Sequence, residues 1–314
     1  MKLLGFRLVD GRRLFDSLER CFKRENRMRN TIQRIAGRLL MLVALCLLGG
    51  LMSASLVRLA PGYGVDEREL DPRLSQASVE AIRNSHRHGS SLLSYYGQYL
   101  AGILHGDLGS SEWLHRPISS LIKERFPVTA KSVTLGVCLA WGLALGISLG
   151  SVYRRRLFLD IAGTLASGVL IALPAAVVAI FSVYFRAPAF LAISVVTFPK
   201  LFRYSRNLLA HAYAQPCVLA AQARGIGQTR ILFCQVLPLA GPALFALLGV
   251  SLSMAFGAAI PIEALNDSPG VGQLAWQAAL NRDLPLIMNL TLLITLITVT
   301  ANSLASVANE RISL

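Results

Sequence analysis

The chain has 314 residues, of which 54% are hydrophobic and only 15% are charged, and its mean hydropathy is +0.54. Ordinary soluble domains carry about 25% charged residues, so this composition excludes a disordered chain and disfavours a soluble enzyme. The net charge of +14 is typical either of a nucleic-acid-binding protein or of a membrane protein with basic cytoplasmic loops. The positions of the basic residues decide between these two classes.

Five stretches free of Asp, Glu, Lys and Arg are long enough for a spanning helix, which needs about 20 residues. They are residues 39–57, 132–153, 161–185, 231–262 and 284–309. In the fourth stretch, Pro238 and Pro242 predict that the helix itself begins near Leu239. A sixth stretch, 187–199, is too short to cross unless Lys200 and Arg203 extend their charges to the headgroups. The alternative is a re-entrant or interfacial segment.

Charge placement predicts the orientation of these spans. Residues 1–38 carry 11 Lys and Arg against four acids, three arginines occupy 154–156, and residues 200–230 contain five basic residues and no acid. Basic loops lie on the cytoplasmic side of a membrane, whereas the loop 263–283 has three acids and one base, as expected outside. The consistent arrangement has six spans and both termini in the cytoplasm, with 187–199 packed as a hairpin on the third span. The basic excess therefore indicates orientation, and no nucleic-acid partner is expected.

These spans divide the chain into four parts. We expect a basic cytoplasmic extension at 1–36, a first transmembrane helix at 37–60, an external (periplasmic) loop domain at 61–127, and a core at 128–314 that holds five further helices. The extension is either an amphipathic helix on anionic lipid or a mobile tail. The predicted fold class is an all-α polytopic membrane protein in a cell membrane.

The basic loop 206–238 of the core contains small residues before a glycine. Residues 219–225 read Leu-Ala-Ala-Gln-Ala-Arg-Gly, and Pro238 stands thirteen positions after Gly225. The pattern predicts a short helix over 220–224 with a small-residue face that another protein can approach closely. Gly225 tolerates a positive φ and is expected to end that helix. A second short helix over 228–236 would then lead into Pro238.

This loop resembles the coupling loop of importer-type ABC permeases, in which Ala-Ala-x-x-x-Gly is followed by a proline. Further motifs agree in order and spacing with the dipeptide/oligopeptide/nickel permease family, in its subunit with a large loop after the first span. They are residues 58–62 (Arg-Leu-Ala-Pro-Gly), 106–111 (Gly-Asp-Leu-Gly-Ser-Ser), 116–117 (Arg-Pro), 124–127 (Glu-Arg-Phe-Pro), Glu263 with 269–272 (Pro-Gly-Val-Gly), and 282–285 (Arg-Asp-Leu-Pro). The resemblance covers about residues 31–312.

The resemblance implies the type I ABC importer permease fold, with six transmembrane helices and an external insert after the first. It also implies a second homologous permease subunit, two cytoplasmic ABC ATPase subunits that bind ATP and Mg²⁺, and an external solute-binding protein. The loop would dock in a groove on an ATPase and transmit its closure to the spans. Its implied coupling residues are Ala220, Ala221, Ala223, Arg224, Gly225, Ile231 and Pro238. The chain departs from the family pattern at Leu219, where a Glu is usual, and at Cys217, which follows Pro216 and stands where an aromatic residue is common.

Five residues are candidates for an external loop or gate: Asp107, Gly109, Glu263, Pro269 and Gly270. Asp107 lies between two glycines and is expected to cap its own turn. Pro269 and Gly270 are expected to form a tight turn, which the resemblance associates with the gate or with docking of the binding protein. Glu263 is expected to be a solvated charge at the membrane edge. In the third span, Pro174 marks a possible kink, either near the translocation path or of packing origin only.

No catalytic residue, cofactor or metal site is expected in the chain itself. It lacks a Gly-Lys-Ser/Thr phosphate loop, so ATP must be hydrolysed by a partner. His86 and His88 alone show metal-like spacing, and they fit the composition of a surface loop. The expected function is the pore-forming permease subunit of an importer for short peptides in the inner membrane. The alternatives are a stand-alone secondary transporter, disfavoured by the lack of acids within the spans, and a non-transporting assembly factor or scaffold, disfavoured by the coupling loop.

Overall fold

The computed structural model describes residues 105–154 and 157–312, together with Gly37, Ala44, 47–52, Ser55, Gly97, Tyr99 and 101–103. The chain divides into two compact units, Met1–Leu45 and Cys46–Leu314. In the first unit only Gly37 and Ala44 are described, and both are helical. The predicted extension at 1–36, most of the first span and the greater part of the loop 61–127, including His86 and His88, lie outside the described residues.

The described part of the second unit is helical, as the composition and the long apolar runs predict. Its elements are α1 (Ile118–Arg154), α2 (Leu157–Ala172), α3 (Ala175–Tyr184), α4 (Ala189–Tyr213), α5 (Pro216–Ala223), α6 (Gln228–Ile231), α7 (Leu237–Leu265), α8 (Val271–Leu280) and α9 (Leu284–Ile312). Helix α1 continues through Pro127. It therefore begins within the segment that was expected to belong to the external loop domain.

Three helices in the described ranges are long and apolar enough to cross a membrane: Ile118–Tyr153, Gln228–Leu265 and Leu284–Ser306. They correspond to the predicted second, fifth and sixth spans. The predicted third span is divided into α2 and α3, which are bent by 98° relative to each other. Pro174 immediately precedes α3 with an extended ψ of 145°, and it has no N–H with which to continue α2. The kink expected at Pro174 is confirmed.

Helix α4 contains the short apolar stretch 187–199 almost entirely and extends it. It begins after Pro188 and runs for 25 residues, through Lys200, Arg203 and Arg206. Its most extensive packing is against α1, with smaller contacts to α2 and α3. Small side chains on α1 allow this approach, since Ala140 and Ala144 are buried against Phe202 of α4. The contacts of α4 with α2 and α3, the two halves of the predicted third span, are therefore less extensive than its contacts with α1.

The junction between α6 and α7 is a π-helical turn at Leu232–Val236, not a break between two helices. The N–H of Leu237 donates to the carbonyl of Leu232, five residues earlier. A wider turn accommodates Pro238, whose ring would crowd the carbonyl four residues before it in a regular α-helix. The helix start expected near Leu239 agrees with the start of α7 at Leu237, but the π-helical turn and α6 continue the helical structure back to Gln228 without a break.

Two ends of the helix bundle have separate cores. The α8 end comprises residues 105–131, 182–190 and 262–290, and its buried core consists of Ile118, Leu121, Val271, Leu274, Ala278, Leu286 and Leu290. The α5 end comprises residues 147–154, 157–160 and 202–240, and its buried core consists of Leu209, Ala212, Val218, Ala221, Ile231, Leu232, Val236 and Ala240. A central core between them joins α1, α3, α4 and α7.

Candidate functional site

Helix α5 at the α5 end has defined start and stop signals. Pro216 occupies its first turn, where a missing N–H costs nothing. After its C-terminus, Gly225 adopts a φ of 74°. The N–H of Gly225 donates a hydrogen bond to the carbonyl of Gln222 at 3.0 Å, and the N–H of Ile226 donates one to the carbonyl of Ala221 at 3.2 Å. These two bonds form a Schellman motif. The predicted helix stop at Gly225 is confirmed, although the helix starts four residues before the predicted range.

The small residues of α5 face two different environments. Ala221 is only 3% exposed and packs with Val218 and Ile231 in the core of the α5 end. Ala220 and Ala223 are exposed. Ala221 and Ile231 therefore hold the loop to the bundle, so that of the alanines in the predicted small-residue face only Ala220 and Ala223 are exposed.

The exposed side of this loop combines small, apolar and basic residues. Leu219 is 54% exposed and Phe233 is 67% exposed. We define the coupling surface as the exposed residues Leu219, Ala220, Ala223, Arg224, Gly225, Arg230 and Phe233. Pro238, where α7 begins, is exposed as well, and so are the free thiols of Cys217 and Cys234. Exposed apolar side chains next to small residues are typical of a protein-interaction surface.

A charged cluster at the α5 end joins three helices. The guanidinium of Arg206 on α4 holds Asp160 on α2 with two hydrogen bonds, one from Nε to Oδ1 and one from Nη2 to Oδ2 at 2.6 Å. The hydroxyl of Ser151 on α1 donates to Asp160 Oδ1 at 3.0 Å. A bidentate contact of this kind fixes the relative orientation of the two side chains as well as the distance between them. In the sequence Arg206 contributes only to the basic bias of residues 200–230, and no local pattern indicates its pair with Asp160.

At the α8 end, Glu263 is fully buried. Its Oε2 accepts hydrogen bonds from the hydroxyl of Thr129 at 2.9 Å and from the N–H of Gly272 at 2.8 Å. The hydroxyl oxygen of Thr129 in turn accepts a hydrogen bond from the N–H of Val271 at 2.7 Å. The expectation of a solvated charge is therefore wrong, because α8 folds back over the end of α7 and covers this carboxylate.

Pro269 and Gly270 form the turn that brings α8 over Glu263, as their residue types predict. Gly270 directly precedes α8 and is buried. A β-carbon at this position would overlap the carboxylate of Glu263 and the hydroxyl of Thr129. Glycine is needed here because the backbone approaches a buried side chain, and not because of its φ of −105°.

Asp107 and Gly109 belong to a second cluster at the same end. Asp107 Oδ1 accepts the N–H of Gly109 at 2.8 Å, which confirms the predicted self-capping turn. This turn is held to α9, where Asn289 Nδ2 donates to the carbonyl of Leu108 at 3.0 Å. The five predicted external residues thus separate into the Glu263 group and the Asp107 group, which share the apolar core of the α8 end.

Asp283 completes the second cluster. It is 1% exposed, and it accepts hydrogen bonds from the hydroxyl of Ser111, from the N–H of Trp113 at 3.2 Å and from the N–H of Leu286 at 3.0 Å. An Asp directly before Leu-Pro at a helix start is an N-cap pattern, so this role could have been read from the sequence. Thr129 carries no such local signal.

Comparison with known proteins identifies the family. Residues 142–313, more than half of the chain, match the family of binding-protein-dependent transport system inner membrane components. The oligopeptide transport system permease proteins OppB of Salmonella typhimurium and of Escherichia coli are each 27% identical over 269 residues, covering 77% of this chain and 85% of theirs.

The oligopeptide transport system permease protein AppB of Bacillus subtilis is 24% identical over 303 residues, covering 87% of this chain and 95% of its own. The family match over residues 142–313 includes the coupling surface, Glu263 and Asp283. The chain therefore belongs to the family of binding-protein-dependent transport system inner membrane components, as the motifs at 106–111, 219–225 and 263–272 indicated.

Proposed function

We propose that the chain is the pore-forming permease subunit of an ABC importer for short peptides, and that residues 216–238 couple closure of partner ATPases to helix movement. Family membership supports the permease role, and the peptide-transport names of the relatives support the substrate class. The observation that carries the coupling role is the division of α5 into a buried anchoring side and an exposed side.

The contacts at the α5 end connect the exposed side of α5 mechanically to α7. A partner that moves the exposed Ala220 and Ala223 also moves Ala221 and Val218, because these lie on the same short helix within the core. That core includes Ile231 and Val236, from which helical structure continues into α7. The pair of Asp160 and Arg206 extends the connection to α2 and α4. The packed loop and α7 would then move as a rigid body.

The proposed topology has six spans with both termini in the cytoplasm. The α5 end faces the cytoplasm, where the basic residues of 200–230 lie, and the α8 end faces outward. The bent pair α2–α3 and helix α4 supply the third and fourth crossings. The proposed partners are a second homologous permease, two ATPase subunits that bind ATP and Mg²⁺, and an external solute-binding protein. The chain itself would hold no cofactor and catalyse no reaction.

Substitution on the exposed side of α5 tests the coupling role. Ala220→Arg and Ala223→Arg place bulky charges on the coupling surface without entering the core. We expect both variants to lose ATPase co-purification and ATP-dependent peptide uptake while they retain normal expression and thermal stability. Ala279→Arg, an exposed alanine on α8, is the matched control and should keep the ATPase bound.

The outcomes separate the alternatives. Unchanged ATPase binding and uptake in both α5 variants would refute the coupling assignment. Uptake by the chain alone, driven by an ion gradient without any ATPase, would indicate a secondary transporter. Assembly with no uptake by the wild-type complex would indicate a scaffold.

A further inference from the structure

A groove of about 950 Å³ opens at the α8 end, between α1, the turn from α3 to α4 and the turn from α7 to α8. Its volume lies within the range of about 300–1,000 Å³ that is usual for small-ligand sites. Three charged side chains line it, and each comes from a different element: Lys131, Arg186 and Asp267. The groove is distinct from the buried Glu263 and from the coupling surface.

The two basic side chains of the groove are available to a ligand. Within the described ranges the ion pairs are Arg116 with Glu124 and Arg206 with Asp160, and neither includes Lys131 or Arg186. Both residues are exposed. Among the described residues neither cation forms an ion pair, so both charges are left for a ligand.

One of the two carboxylate oxygens of Asp267, the acid of the groove, is hydrogen-bonded to a neighbouring side chain. Oδ1 of Asp267 accepts a hydrogen bond from Gln273 Nε2 at 2.5 Å, which orients the carboxylate. Asp267 is exposed, and no described residue donates a hydrogen bond to its second oxygen, Oδ2. The groove therefore offers two cations and one oriented acid, a combination that suits a ligand with charges of both signs.

The backbone that carries these charges is held by hydrogen bonds. The N–H groups of Arg186 and Ala187 donate to the carbonyls of Val183 and Ser182 at 3.0 and 2.7 Å, which closes the end of α3. Lys131 lies within the long helix α1. The N–H of Ser268 donates to the carbonyl of Glu263 at 3.0 Å beside Asp267. Sites built on such ordered elements position ligands well.

We propose that this groove receives a short zwitterionic peptide, whose terminal carboxylate binds Lys131 and Arg186 and whose terminal ammonium faces Asp267. The proposal rests on the proposed function, because it names a contact of the transported substrate. Lys and Arg form strong charge-assisted hydrogen bonds with carboxylates. An anionic lipid headgroup would also attract the two cations, but Asp267 would repel it.

The test uses the complete importer in proteoliposomes, with saturating solute-binding protein. Uptake of trialanine with a free C-terminus is compared with uptake of trialanine amide. We expect Lys131→Gln and Arg186→Gln each to lower free-acid uptake about three- to ten-fold, as for loss of one partly solvated charge contact, and to leave amide uptake unchanged. Lys123→Gln is the matched control, because Lys123 is exposed on the same helix and lies outside the groove lining.

A second readout is independent of transport rate. Ser132 lines the groove next to Lys131. A Ser132→Cys variant should react with a membrane-impermeant maleimide added from outside, and free trialanine should slow this reaction more than its amide does. Absence of labelling from outside would overturn the proposal.

Three further outcomes would also overturn it. One is an equal effect of the groove variants on acid and amide uptake, and another is no effect on either peptide. The third is a defect that appears in vesicles containing phosphatidylglycerol but not in phosphatidylcholine alone, which would identify a lipid headgroup site. Failure of the proposed function is distinguishable from failure of the groove proposal, because the wild-type complex would then show no ATP-dependent uptake of either peptide.

Discussion

The carboxylate of Glu263 accepts a hydrogen bond from the hydroxyl of Thr129 at 2.9 Å, although 134 residues separate them in the chain. The same oxygen accepts the N–H of Gly272 at 2.8 Å. One buried acid therefore joins the end of α7 to α1 and α8. The position of α8 depends on this polar contact as well as on the apolar core around Leu274.

Removing the Glu263 side chain should destabilise the α8 end. Glu263→Ala leaves the hydroxyl of Thr129 and the N–H of Gly272 without this buried acceptor, at a cost of about 1–3 kcal/mol for each group. Glu263→Gln keeps an acceptor oxygen and should lose less. Thermal unfolding of the detergent-solubilised protein measures the difference. Glu124→Ala, at an exposed acid, is the control, and a Glu263→Ala midpoint equal to that of the control would contradict the prediction.

Two glycine substitutions should have opposite effects. In Gly270→Ala the added methyl group overlaps Glu263 and Thr129, so we expect a loss of about 1–3 kcal/mol from overpacking. In Gly257→Ala, within α7, the methyl group has nothing within 4 Å, and better helix propensity should stabilise the protein by up to about 1 kcal/mol. Denaturation of both variants under the same conditions checks this. Equal stabilities would show that the close approach at Gly270 is not a constraint.

Asp283 should hold residues 105–117 against α9. Asp283→Ala removes an N-cap, which alone costs about 0.5–2 kcal/mol, and also leaves Ser111 without its acceptor. We expect faster proteolysis within 105–117 by limited digestion followed by mass spectrometry. Asp107→Ala removes a single exposed turn contact and should change the digestion much less. The reverse order of sensitivity would refute this role for Asp283.

Thiol labelling tests the orientation. Cys217 and Cys234 are free and exposed at the α5 end. A membrane-impermeant maleimide should leave both unmodified in intact cells and should label both in inverted vesicles, because the proposed topology, which follows the positive-inside rule, has this end in the cytoplasm. Labelling of either thiol in intact cells would overturn the six-span topology.

The sequence alone determined features whose physical causes act within a few residues. Gly225 ends α5 because its own φ is positive, Asp107 caps the turn formed by its neighbours, and Pro174 interrupts a helix because it lacks an N–H. The apolar runs and the family motifs are likewise local patterns. These signals were sufficient for the all-helical fold, for three of the spans and for the family.

Only the tertiary structure decided which of these residues are buried and what they contact. Ala220 and Ala221 are adjacent and identical in type, yet only Ala221 is covered, because Ile231 and Leu209 pack against its side of α5. Glu263 looks like a boundary charge until α8 covers it. Burial depends on side chains brought together from distant segments, and no local pattern encodes that. For the same reason, the groove at Lys131, Arg186 and Asp267 exists only once three separate elements meet.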